Sequence, residues 1–125
     1  MMKIDKLSDT EREMMEVIWQ LDKSVTSSEL LKIFNEKKGK KWSAQTMSTF
    51  LTRIVDKGVL ISNKEGRINF YESLISKEEY TQYEAENILN NLYKGSLKNF
   101  LSALYYKKDM STDDIQEINN WFSEK

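Results

Sequence analysis

The stretch WSAQTMSTFLTRIVDKG, from Trp42 to Gly58, carries six hydrogen-bonding side chains that a helix would gather on one side: Gln45, Thr46, Ser48, Thr49, Thr52 and Arg53. At about 100° per residue they fall opposite Met47, Leu51 and Ile54. The chemistry this set can perform is recognition. Gln bonds adenine bidentately and Arg bonds guanine; Ser and Thr reach bases or phosphates, and a threonine methyl can touch the thymine methyl. Taken alone, short polar residues on a helix are better read as a solvated surface. Their flanks change the weighing: Lys37, Lys38, Lys40 and Lys41 come just before, and Lys64 and Arg67 just after. Residues 37–67 hold eight cations against Asp56 and Glu65, a local charge of +6 in a chain whose total is −1. Local sign is what a phosphate backbone meets. The expected DNA-binding set is therefore Lys41, Ser43, Gln45, Thr46, Ser48, Thr49, Thr52, Arg53, Lys64 and Arg67.

Other chemistry finds little material. The chain has no Cys and no His, which removes thiolate nucleophiles, disulfides, the commonest general base and the usual imidazole ligand. Only four glycines are present and none forms a phosphate-cradling loop. The acid pairs Glu78–Glu79 and Asp113–Asp114 each fall in the first turn of an expected helix, where the macrodipole favours negative charge. Met14, Met15, Trp19 and Phe34 sit at helical spacing and read as core. The expectation is a binding protein with no catalytic residues, no cofactor and no metal. No apolar run nears the roughly 18 residues of a membrane span, and the start MMKIDKLSDTEREM is too acidic and polar for a secretory signal. A cytoplasmic protein without membrane insertion is expected.

The elements that must position the polar face follow from caps and periodicity. Ser8 with Glu11, Thr26 with Glu29 and Ser76 with Glu79 fit capping boxes, while Ser111 with Asp114 is a looser match favoured through the dipole. A first helix is predicted over Asp9–Leu21 with Met14, Val17, Ile18 and Leu21 inward, and a second from Ser27 to about Glu36 with Leu30, Ile33 and Phe34 inward. Ser43 caps a third, Ala44 to Lys57, which Gly58 ends in a left-handed conformation. VLISN, KEGR and INFYESL then read as strand, turn and strand. Three helices and a hairpin compose a winged helix-turn-helix.

The last third reads as helices near Lys77–Tyr93, Leu97–Tyr106 and Thr112–Phe122. Their apolar phases hold Ile88, Leu89 and Leu92; Leu97, Phe100, Leu101 and Leu104; and Ile115, Ile118, Trp121 and Phe122. That is more apolar surface than a small winged domain can cover, so these residues are assigned to dimerisation with a second copy. The fold class expected is mainly α with a small β-hairpin wing: residues 1–75 a winged-helix DNA-binding domain, residues 76–125 a helical dimerisation region.

The stretch from Trp42 to Gly58 also resembles the reading helix of the bacterial penicillinase repressor family, known as BlaI/MecI/CopY. SDTEREMMEVIW from Ser8 is similar to that family's opening helix, NFYESL from Asn69 to the returning strand of its wing, and Tyr93-Lys94-Gly95-Ser96 to the loop within its dimerisation region. The resemblance runs along essentially the whole chain. It implies a homodimer on a pseudo-palindromic operator of double-stranded DNA, repressing genes for β-lactamase or related β-lactam resistance until a membrane sensor protease pathway triggers cleavage. The chain departs from the family where methicillin-type members carry Pro-Lys and later an Arg in the reading helix: Ala44-Gln45 and Ser48 stand here, which points to a different base preference. The position of the family's Asn-Phe scissile bond falls on Ala103-Leu104, with an Asn99-Phe100 pair four residues earlier. The cysteine motif of the copper-responsive branch has no counterpart in a chain without Cys. Two other readings stay open: a winged-helix scaffold that binds protein, and a repressor released by a small ligand.

Overall fold

The computed structural model describes residues 4–125; the first three residues of the expected winged domain and of its polar start lie outside the described part. Nine elements follow in order: α1 Asp9–Leu21, β1 Val25–Thr26, α2 Ser27–Lys37, α3 Ala44–Asp56, β2 Leu60–Glu65, β3 Ile68–Ser73, α4 Lys77–Leu92, α5 Leu97–Tyr106 and α6 Thr112–Ser123. The chain divides into two compact units, one ending at Thr81 and the other Gln82–Lys125.

Local chemistry fixes most boundaries. The hydroxyls of Ser8, Thr26 and Ser76 accept from the amides of Glu11, Glu29 and Glu79, whose carboxylates accept in return from the three cap amides. Ser111 and Asp114 form the same reciprocal pair, at 3.1 and 2.9 Å, so Asp114 contributes a full capping box and more than a favourable charge at the dipole. Ser43 caps α3, its Oγ accepting from Thr46 N at 3.1 Å. The helix ends one residue short of Lys57, and Gly58 follows at φ +83°, a conformation that a β-carbon disfavours.

The wing is a three-stranded antiparallel sheet ordered β1-β3-β2. The two-residue strand β1, absent from the sequence expectation, pairs Val25 with Tyr71 and Thr26 with Phe70. Strand β2 runs two residues further than expected, to Glu65, while β3 begins at the expected Ile68; these two residues pair, leaving Gly66-Arg67 as the connecting turn with Gly66 at φ +64°. Met14, Met15, Ile18, Val25, Leu30, Phe34, Met47, Leu51, Ile54, Val59 and Leu60 build the core beneath.

Tyr80, in the second turn of α4, belongs to this first unit: it is 1% exposed, its hydroxyl accepts from Leu7 N at 2.8 Å, and its ring lies 5.9 Å from that of Trp19. The Trp19 indole N–H is shared between Ser73 Oγ and the Ile75 carbonyl. The second unit is different in kind. Neither α5 nor α6 contains a buried residue, and Ile88, Leu92, Leu97, Tyr105, Tyr106, Trp121 and Phe122 are all at least 44% exposed.

Candidate nucleic-acid interface

Helix α3 divides cleanly between two environments. Met47, Leu51 and Ile54 are wholly buried, whereas Gln45, Thr49, Thr52 and Arg53 are exposed and Thr46 and Ser48 half-buried. Gln45, Thr49, Thr52 and Arg53 stand at i, i+4, i+7 and i+8, so they form one continuous outward strip along the helix. The strip is rigid where it starts, because the Ser43 cap also donates from Oγ to Thr46 Oγ1 at 3.0 Å.

The hydroxyls are not equally available. Thr49 donates to the Gln45 carbonyl at 3.0 Å, which leaves its lone pairs and methyl facing outward. Ser43 and Thr46 are occupied with each other and with the cap. Within the described residues no hydrogen bond or ion pair holds the side chains of Gln45, Thr52 or Arg53, so their full donor and acceptor capacity faces outward.

Before α3, the turn from α2 is pinned by aromatic packing: Phe34 and Trp42 stack at 5.1 Å between centroids, and Trp42 meets Phe50 at 5.2 Å. Lys40 turns inward, 3.7 Å from the Glu13 carboxylate and 5.7 Å from the Trp42 ring centre, while Lys37, Lys38 and Lys41 are exposed. After α3, Lys64 pairs in register with Asn69, and Arg67 occupies the hairpin turn; both are exposed. The structure thus puts Lys41, Ser43, Gln45, Thr46, Ser48, Thr49, Thr52 and Arg53 on or next to one helix and Lys64 and Arg67 at the end of the wing, all in the first unit.

Two contacts, one at each end of this helix, escape the sequence reading. Lys57 Nζ sits 2.6 Å from Glu11 Oε1, whose residue is only 2% exposed, tying the end of α3 to the first turn of α1. Burial pushes the Glu11 carboxyl up, but the Lys57 hydrogen bond, the Ser8 amide and the charge of Lys57 together outweigh it and hold the carboxyl below the ordinary glutamate range. Asn35 brackets the main chain of Trp42 with two hydrogen bonds of 2.9 Å. Glu11 is visible in the sequence as a capping residue, but nothing local announces a partner 46 positions away.

The acid pairs are accounted for structurally: Glu79 and Asp114 close capping boxes, and Glu78 and Asp113 share their helix first turns. Among the described residues no group of three or more carboxylates, thiols or imidazoles comes together as a metal could require. No helix among them is long and apolar enough to cross a membrane.

A helix with a polar outer strip, framed by a lysine-rich turn and a cationic wing, is the layout of a winged helix-turn-helix DNA-binding regulator. The penicillinase repressor family model matches residues 7–124, and the chain belongs to that family. It is 33% identical over 118 residues to the penicillinase repressor of Bacillus licheniformis, covering 94% of this chain and 90% of that protein. It is 28% identical over 123 residues to the methicillin resistance regulatory protein MecI of Staphylococcus aureus (strain N315), covering 98% of each. Among solved structures, the DNA-binding domain of the repressor BlaI aligns with a TM-score of 0.53 at 39% identity, over 64% of this chain and 94% of that one. The monomeric Bacillus licheniformis BlaI in complex with the blaP half-operator aligns with a TM-score of 0.50 at 38% identity, again over 64% of this chain and 94% of that one. These are relatives by fold and by sequence, and the family is one of transcriptional repressors, not a class of enzymes.

Proposed function

We propose that this chain is a homodimeric repressor that acts in the cytoplasm by occupying a pseudo-palindromic operator in double-stranded DNA, and that the genes it silences serve β-lactam resistance. It works by binding and performs no catalysis. The observation that carries the reading is α3: its apolar face is fully buried, and its outward strip of Gln45, Thr49, Thr52 and Arg53 is flanked by exposed Lys37, Lys38, Lys41, Lys64 and Arg67. A helix so divided can enter the major groove while the turn and wing lie on phosphates. Support for the operator comes from the BlaI half-operator complex, and for the resistance genes from the penicillinase and methicillin regulators it resembles.

The helices after Thr81 support a second copy. Ile88, Leu89 and Leu92 of α4, Leu97, Phe100, Leu101 and Leu104 of α5, and Ile115, Ile118, Trp121 and Phe122 of α6 stay exposed or half-buried in the single chain, and a two-fold partner would remove them from water. Release by a sensor protease pathway is part of the proposal. Ala103–Leu104, aligned with the family's scissile bond, lies inside α5 with both residues half-buried, so cleavage there requires the end of α5 to open first.

Electrophoretic shift with duplexes selected from a random library, at several salt concentrations, tests the reading. A dimer making about eight phosphate contacts should give a log-log salt slope near −7. Weak, salt-insensitive binding to every duplex would favour a protein-binding scaffold instead.

The roles within the site separate by mutation. Gln45→Ala and Arg53→Ala should each cost about 1–3 kcal/mol on the selected duplex and relax preference at one base pair, with little change on scrambled DNA. Lys64→Ala and Arg67→Ala should weaken all duplexes alike and shrink the salt slope by about 1 per lost contact. The reverse pattern would exchange the roles of helix and wing.

A further inference from the structure

Asn35 lies near the end of α2, half-buried, and its carboxamide closes a two-bond bracket on another part of the chain. Its Nδ2 donates to the Trp42 carbonyl and the Trp42 amide donates to its Oδ1, both at 2.9 Å. This is the exchange that two residues make across an antiparallel ladder, with one strand replaced by a side chain. A carboxamide carries its donor and its acceptor on two separate atoms, as a two-point bracket needs; a hydroxyl offers both on one atom, and a carboxylate could meet the amide but would face the carbonyl with a second oxygen.

The bracket sits where direction matters. Trp42 immediately precedes Ser43, the N-cap of α3, so the clamped peptide is the last one before the reading helix begins. The neighbouring Phe34 reinforces the same point: its ring stacks on the Trp42 indole, and its carbonyl accepts from both Lys38 N and Lys40 N. From Lys37 to Lys41 the chain holds four lysines and a glycine, none of them buried. Two adjacent residues of α2 therefore hold the main chain of this turn, to which Lys40 adds its contacts with Glu13 and the Trp42 ring.

We propose that Asn35 is a positioning residue of the DNA-reading helix: by clamping the main chain of Trp42 it fixes the angle at which α3 leaves the turn, and so the aim of Gln45 and Thr49 at the base edges. The inference rests on the DNA-reading function proposed for α3. Base-edge hydrogen bonds tolerate little misalignment, whereas flexible lysines follow the phosphates wherever the helix points. Loss of the clamp therefore removes discrimination and spares general affinity. A residue that merely stabilised the fold would lower binding to every duplex together.

The test compares the native chain with Asn35→Ala and Asn35→Asp, full length, each assayed well below its own melting midpoint. The probes are a duplex selected by the native chain from a random library and a scrambled duplex of the same length and composition. For Asn35→Ala, affinity for the selected duplex is expected to fall about tenfold, as for a lost base contact, and for the scrambled duplex less than about twofold, with the salt slope unchanged. Asn35→Asp, which keeps an acceptor for the Trp42 amide, should recover part of the ratio. Equal losses on both duplexes, or no loss, would overturn the proposal. The clamp is also read without DNA: exchange of the Trp42 amide should accelerate at least about tenfold in Asn35→Ala while amides of α1 keep their protection. Unchanged Trp42 protection refutes the clamp even if the native chain binds DNA. A native chain that prefers no duplex refutes the DNA reading, with the exchange result then deciding the clamp by itself.

Discussion

A chain carrying Leu97→Glu and Phe122→Glu is expected to sediment as a monomer at concentrations where the native chain is a dimer, and to bind an operator-length duplex roughly 100-fold or more weakly. In the single chain Leu97 is 49% exposed and Phe122 56%, so placing carboxylates there costs the folded protomer little. In a two-fold interface the same carboxylates would be desolvated without partners, which is prohibitive. Leu97 also lines an open groove of about 470 Å3 between α5 and α6, together with Leu101, Tyr105, Met110, Ile115 and Ile118. Each protomer of the double variant keeps its own reading helix and so its half-site affinity. What it loses is the second, linked binding event, whose effective concentration supplies most of the avidity. Sedimentation, a duplex titration and a thermal melt separate the cases. A dimer that survives both charges, or a monomer with undiminished affinity for a full operator, would remove these helices from the dimer interface.

Lys57→Met is expected to lower stability by about 3 kcal/mol, at the low end for breaking a buried ion pair because the Lys57 side chain is 28% exposed. The cost arises from what is left behind: Glu11, 2% exposed, would keep its charge with the amide and hydroxyl of Ser8 in place of a cation. Glu11→Gln with Lys57→Met removes both charges and should recover a substantial part of the loss, a coupling that a thermal or denaturant melt of the four chains measures directly. Additive losses would show that the pair contributes nothing as a pair. The same group sets a pH dependence. The Glu11 carboxyl is held below its ordinary range in the folded chain, so the unfolded chain takes up its proton first as the pH falls. Its contribution is therefore complete above the ordinary glutamate value of about 4.3 and is lost as the pH drops from there through the lower folded value. The native chain should weaken in acid more steeply than Glu11→Gln, and equal acid sensitivity would count against the pair.

This ion pair also joins the end of α3 to the start of α1, while Asn35 and Phe34 hold the beginning of α3 to α2. The reading helix is thus fixed at both ends by contacts that do not use its outer strip. That separation leaves Gln45, Thr52 and Arg53 free to meet a ligand without competing with the fold.

How much of this was legible in the residues depends on the reach of each interaction. The limits of α1 and α5 coincide with those expected from periodicity and caps, and α3 ends one residue early, because cap hydroxyls, capping carboxylates and Gly58 act within four positions of the chain. The polar strip of α3 was legible for the same reason: a helix of known phase with Met47, Leu51 and Ile54 inward leaves Gln45, Thr49, Thr52 and Arg53 outward. The β1 strand was not, since Val25–Thr26 is too short to carry a pattern and exists only because Phe70 and Tyr71 pass beside it. The Glu11–Lys57 pair and the Asn35 bracket needed the tertiary structure too, for a side chain's propensity says nothing about which distant backbone or charge will be delivered to it. Likewise the phases of α4, α5 and α6 marked their apolar faces from sequence, but that these faces remain uncovered in one chain is a property of packing. Sequence alone determined the helices, the hairpin and the polar face of α3, through short-range backbone and capping energetics; only the folded chain decided β1 and what holds that face in place, because those contacts exist only after loop closure brings distant residues together.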